Sequence, residues 1–185
     1  MKMVKKFYLD TNTIAHHIIL SNIIKRKKIK VGKNSKFKRY LDAHELIEKI
    51  IRKKATGNFF SSPLALTELY FAIFEEYKCE KMYNEGIPLS SWNSNKRKME
   101  LSKEEIAEIQ ENILSFSDDN ICDNDDGYVK PIFCTNWDAY DYDLLPELVF
   151  EKNIRTHDAL LLATANDEGA DYFVTSDKEL RRIIK

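Results

Sequence analysis

The feature that most constrains this chain is how its short apolar runs stop. FYL stops at Asp10, NFF at Ser61 and DYFV at Thr175, and polar residues follow each at once, before apolar positions resume at helical spacing. Short runs rich in aromatic and β-branched residues read as strands, and longer stretches with the 3.6-residue period read as helices. Strands that are apolar throughout, alternating with helices, call for an α/β domain whose mostly parallel sheet is covered on both faces. With 185 residues, of which 43% are hydrophobic, one domain spanning 1–185 is the economical expectation. Its core needs no disulfide or structural metal to sustain it.

The first strand is expected over Val4 to Leu9, with DTNT supplying capping residues for a helix from Thr13 to Ile24. A second helix is expected from Asp42 to Ala55, ended by Gly57, and a short strand over NFFSS. Ser62 and Pro63 then supply an N-cap and first-turn proline for a long helix through Tyr83. Asn84 to Met99 reads as a loop, SKEE as a capping box opening a helix to about Phe116, and Asp118 to Asp126 as another loop. YVKPIF is expected as a strand near a sheet edge, because Pro131 cannot donate to a ladder. THDALLLATANDEG, DYFVT and SDKELRRIIK complete the chain as helix, strand and helix.

The charge balance, 29 Lys and Arg against 30 Asp and Glu, excludes a globally basic nucleic-acid binder, so charge must act locally. No stretch approaches the ~18 apolar residues of a membrane span, and the opening residues reach a charge too soon for a signal-peptide core. A cytoplasmic protein without membrane contact is expected. Cys79, Cys122 and Cys134 form no CxxC pair and read as reduced thiols rather than zinc ligands.

In parallel sheets the reactive groups lie beyond the carboxyl ends of the strands. Here those positions are acidic. Asp10 follows the first strand and Asp177 follows the last, while Asp158 sits in the first turn of the helix opened by Thr156. Asp158 alone is explained by ordinary helix-dipole stabilisation. Glu68 is the single charge within LALTELYFAIF, a helix that reads as buried, and a buried carboxylate demands a cation, a metal or strong donors. Two unit charges ~4 Å apart repel by about 4 kcal/mol at an effective dielectric of 20, so a cluster of such groups needs a counter-charge. All-oxygen ligation suits Mg2+ or Mn2+ rather than zinc. A metal so held acidifies its water and neutralises a phosphoryl group, which is the chemistry of phosphodiester hydrolysis.

FYLDTN, SSPLALTEL, THDALLLATANDEGADYFVT and SDKE, in that order and spacing, resemble the PIN-domain ribonucleases, including the toxins of VapBC toxin-antitoxin pairs. The resemblance implies a three-layer α/β/α sandwich and metal-dependent cleavage of single-stranded RNA. It implies metal-site roles for Asp10, Glu68, Asp158 and Asp177, with Asn12, Thr175 and Glu179 steadying ligands or water around them. An antitoxin partner and a homodimer are family-level expectations. The chain departs from the compact toxins by a basic insertion near 25–39 and a long helical and loop insertion near 81–126.

The basic insertion carries Lys25, Arg26, Lys27, Lys28, Lys30, Lys33, Lys36, Lys38 and Arg39 with no acidic residue among them. Such an arm offsets the repulsion between a carboxylate cluster and RNA, and Phe37 and Tyr40 would add stacking. The bland alternative is a solvated loop or a surface for an acidic partner. The acidic run from Asp118 to Asp143 lacks EF-hand spacing and is expected to be a solvated loop, or else to pair with the basic arm. His16, His17, His44 and His157 form no HExxH or triad order. His157 adjoins Asp158, in a position to approach substrate, but reads rather as a solvent-facing residue of the capping turn. Two rivals stand beside the nuclease. One is a catalytically silent RNA- or protein-binding module on the same fold. The other is a haloacid-dehalogenase-like phosphatase, since LDTNT resembles the DxDxT motif except at Asn12.

Overall fold

A computed structural model describes residues 4–28, 37–122, 131–136, 140–178 and 180–183. Five strands form one sheet in the order β3-β4-β2-β1-β5, and every neighbouring pair is parallel. They are β1 (Lys6–Leu9), β2 (Asn58–Ser61), β3 (Ile121–Cys122), β4 (Ile132–Cys134) and β5 (Tyr172–Val174). Between them run α1 (Thr11–Lys27), α2 (Lys38–Ile51), α3 (Pro63–Asn84), α4 (Trp92–Lys96), α5 (Lys103–Asn120), α6 (Leu144–Pro146), α7 (Thr156–Asp167) and α8 (Leu180–Ile183).

Period-2 alternation in β1 divides the core between two faces. Phe7 stacks on Phe59 of β2 and Tyr172 of β5, with ring centroids 5.1 and 5.0 Å away. Tyr8 stacks on Phe173 at 5.2 Å and meets Phe60 edge-on at 5.4 Å. The face holding Leu9, Phe59 and Ile132 is packed by Ile14 and Ile18 of α1, Ile47 of α2, Leu69 and Ile73 of α3, and Ile113 of α5. The face holding Tyr8 and Phe60 is packed by Leu161 and Ala165 of α7. Helices therefore cover both faces, as strands apolar on both sides require.

Local chemistry explains the boundaries. Ser62 caps α3 by accepting from the Ala65 N–H, followed by Pro63, and Ser102 and Glu105 form a reciprocal capping box on α5. Gly57 does not end α2, which stops at Ile51 with Lys53 at positive φ. Gly57 instead has φ of 147°, and a Cβ there would lie 2.6 Å from the Phe7 ring, so the approach to β2 requires glycine.

β4 lies one strand in from the sheet edge, between β3 and β2, near an edge as expected, although Pro131 falls just before the strand and removes no ladder bond. Two further expectations need correction. The segment from Asn84 to Met99 contains a 3-10 turn at Leu89–Ser91 and α4, fastened by Trp92 donating its Nε1–H to the Ile87 carbonyl at 2.9 Å. Asp118 and Asp119 belong to the last turn of α5, which runs to Asn120. Within the acidic run, Asp123, Asp125, Asp126 and Asp138 lie outside the described residues. Among the described residues, no helix is long and apolar enough to cross a membrane.

Candidate functional site

The strand ends are tied together before any site chemistry begins. The Asp10 N–H donates to the Val174 carbonyl at 3.0 Å, the Thr13 hydroxyl donates to the same carbonyl at 3.0 Å, and the Ser61 hydroxyl donates to the Leu9 carbonyl at 3.0 Å. This lattice fixes the rim on which Asp10 sits. Asp10 holds the N-cap position of α1, yet its side chain makes no capping bond. It accepts instead from the Thr175 hydroxyl at 2.6 Å, and Thr175 Oγ1 accepts in turn from the Asp177 N–H at 2.9 Å. Thr175 thus links the loops that follow the first and last strands.

Asp10, Glu68, Asp158 and Asp177 all line one open cleft of about 610 Å³. Asn12 lines it too, while Thr175 stands behind it, buried. Glu179 lies outside the described residues. Glu68 is not buried as its helix pattern suggests. Tyr70 and Phe71 beside it are exposed, and Glu68 is itself part-exposed on the cleft wall. The burial reading fails because α3 turns one apolar face outward. Glu68 is held by the Thr11 hydroxyl, which donates to Oε2 at 2.9 Å, and by His157, whose Nδ1 lies 2.9 Å from Oε1. His157 is therefore exposed, as expected, but its ring bridges to α3.

Electrostatics follow from this packing. Burial, with added repulsion from Asp158 and Glu68, pushes Asp10 up to about 6, although the Thr175 hydroxyl and Asn12 pull the other way. Partial burial, then Asp177 and Glu68, hold Asp158 above the usual carboxylate range, against the opposing pull of Arg155 and His157. Among the described residues, neither Asp10 nor Asp158 is in an ion pair, so no bonded cation offsets the charge of either.

The donor set is all oxygen and fits a hard divalent cation. The fit is to an open, hydrated ion rather than a closed cage. Among the described residues, the group of three or more ligating side chains whose atoms lie within 4.8 Å of one another is His17, His44 and Glu48, not the four acids. Magnesium tolerates this because it keeps several waters and takes one or two carboxylates directly.

A second cleft, of about 880 Å³, adjoins the first and shares Asn12, His16 and Asp177 with it. Lys38, Arg39, Lys178 and Arg181 line it. Arg181 is anchored, donating its Nε–H to the Thr175 carbonyl at 2.6 Å.

The basic insertion divides in two. Lys38 and Arg39 reach this cleft, but Arg39 also pairs with Glu76. Lys27 bonds Glu80 at 2.8 Å, and Arg26 reaches Glu80 at 3.3 Å and Glu108 at 3.5 Å. These cations fasten α1 to α3 and α5, where Glu80 and Glu108 rather than the acidic run are their partners. Lys25 and Lys28 are exposed, and Lys30 and Lys36 lie outside the described residues. Phe37 and Tyr40 are buried in the core and offer no stacking surface, because helical spacing from Phe37 turns both rings inward.

The sequence reading misses Thr11 and Arg181, and it sets His157 beside Asp158 without the contact to Glu68. For the first two, only the position of Thr11 beside Asp10 offers a hint. No family model and no curated protein sequence matches the chain.

Proposed function

We propose that this chain is a metal-dependent endoribonuclease of the PIN-domain type, acting either as the toxin of a toxin-antitoxin pair or as an RNA-processing nuclease. The observation that carries the proposal is the meeting of Asp10, Glu68, Asp158 and Asp177, remote in sequence, around one cleft with a cation-lined cleft beside it. A carboxylate cluster alone would repel a polyanion. The adjoining Lys38, Lys178 and Arg181 give phosphates a place to bind next to it.

Asp10 and Asp177, fixed through Thr175, and Asp158 and Glu68 across the cleft are the residues that would hold magnesium or manganese. Such an ion supplies an acidified water and charge neutralisation at the phosphoryl group. The chain's own contribution is positional. Thr175 sets the Asp10 carboxylate, Thr11 and His157 set Glu68, and Asn12 donates toward Asp10. The exposed imidazole of His157, beside Asp158, is also suited to contact a phosphate oxygen.

The test is Mg2+-stimulated cleavage of single-stranded RNA by Asp10→Asn and Asp177→Asn. Each is expected to lose on the order of 10²-fold or more in rate, the scale of removing a group that stabilises transition-state charge, with unchanged circular dichroism. Full activity in both variants would overturn the nuclease reading. RNA binding without cleavage by the wild-type chain would favour the silent binding module, and a phospho-adduct trapped on Asp10 the phosphatase.

A further inference from the structure

Apart from both clefts, a polar cluster lies between α1 and α2. His17 is 5% exposed and packs against Phe116, with ring centroids 5.5 Å apart. Its imidazole stacks on His44 of α2 at 5.0 Å with an interplanar angle of 18°. One helical turn beyond His17, Ser21 places its hydroxyl 3.5 Å from His17 Nε2 and 3.4 Å from His44 Nδ1. One turn beyond His44, Glu48 completes the group, and ligating atoms of His17, His44 and Glu48 all lie within 4.8 Å of one another. The i,i+4 spacing on each helix aligns each pair on one face, and the packing of α1 on α2 brings the faces together.

The cluster is under-satisfied. Among the described residues His17 Nδ1 has no hydrogen-bond partner, and Nε2 makes a long contact to Ser21. Buried polar groups are nearly always paired with protein, water or an ion, so a buried imidazole in this condition points to a missing ligand. Burial pushes His17 down to about 3, and it also lowers His44.

We propose that His17, His44 and Glu48 form a cation site for a borderline divalent metal, zinc above all, that clamps α1 to α2. Two imidazoles and a carboxylate are a zinc donor set rather than a magnesium one. Around a tetrahedral centre with bonds of 2.0–2.1 Å the ligand atoms stand about 3.4 Å apart, so one imidazole must turn out of the His17–His44 stack to bring its in-plane lone pair onto the common ion. The Ser21 hydroxyl or a water takes the fourth position. Arg52, 2.5 Å from Glu48 Oε2, steadies the carboxylate. None of the three ligands lines either cleft, so the site stands whether or not the nuclease reading does.

The experiment titrates the chelator-stripped full chain with Co2+, read by its visible ligand-field absorption, and with Zn2+, read by calorimetry and thermal unfolding. The wild type is expected to show one four-coordinate Co2+, distinct by its spectrum from any ion in the acidic cleft, to exchange it for Zn2+, and to melt higher with Zn2+. His44→Ala and Glu48→Gln, at part-exposed positions that tolerate substitution, should each weaken binding at least about 10-fold. Asp10→Asn should leave it unchanged. The proposal is overturned if the wild type gives no such cobalt spectrum, if both helix variants bind as tightly as wild type, or if binding disappears in Asp10→Asn instead.

Discussion

Asp10 stands where a helix wants a capping side chain, and its carboxylate turns away from that role. An Asp at the N-cap contributes about 1 kcal/mol when it accepts from the first turn, and here that gain is forgone for the bond from Thr175. The consequence is a carboxyl 2% exposed and pushed up to about 6. Between its ordinary value of 3.8 and about 6, the folded chain holds a proton that the unfolded chain has lost. Stability therefore falls as pH rises through that window, and the gap converts to about 3 kcal/mol. In chelator, Asp10→Asn is expected to gain on wild type by about that amount from pH ~4 to pH ~6.5, measured as the difference in urea-unfolding free energy. Saturating Mg2+ should shrink the gain, since a bound cation favours the ionised form. A difference that stays flat with pH would mean that Asp10 is not perturbed as described.

At the scale of elements, α3 is the helix on which the site leans. Its cap, Ser62, serves two partners, accepting from the Ala65 N–H at 3.3 Å and sharing a hydrogen bond with the Tyr8 hydroxyl at 2.6 Å. Ser62→Ala loses the cap, at about 1 kcal/mol, and strands the buried Tyr8 hydroxyl, at about 1–3 kcal/mol. A loss of roughly 2–4 kcal/mol in chemical denaturation is expected. Adding Tyr8→Phe should recover the second part, so the double variant should be less destabilised than the two single losses summed. Strict additivity would show that the hydroxyls do not interact. The outward face of α3 is what misled the burial reading of Glu68. A run such as LALTELYFAIF fixes a helix firmly, but it does not say which of its apolar sides another element will cover.

Across the whole molecule, a near-neutral chain separates its charges. Asp10, Glu68, Asp158 and Asp177 gather at one cleft, which Lys96 and Arg155 also line, Lys38, Arg39, Lys178 and Arg181 line the next beside Asp42, and Arg26 and Lys27 are spent on Glu80 and Glu108. If single-stranded RNA runs past Lys38 and Lys178, replacing both by Ala should weaken binding and reduce the slope of log affinity against log salt by about 1.4, or 0.7 for each phosphate left without its lysine. Arg26→Ala with Lys27→Ala should leave that slope nearly unchanged while loosening α1 from α3 and α5. The reverse pattern would move the RNA path to the end of α1. In the sequence Arg26, Lys27 and Lys38 belong to a single run, and distance along the chain does not reveal which of them already have carboxylate partners.

The sequence by itself determined the strand-helix alternation, the parallel sheet and the caps of α3 and α5, because periodicity and capping act over a few residues. It also marked Asp10, Glu68, Asp158 and Asp177, since charge just after a strand or amid apolar residues stands out locally. Only the tertiary structure decided that His157 and Thr11 hold Glu68, that Phe37 and Tyr40 are core, and that His17 meets His44 and Glu48. Those pairings depend on how two helices cross, and no residue's neighbours in sequence encode the angle at which its helix meets another.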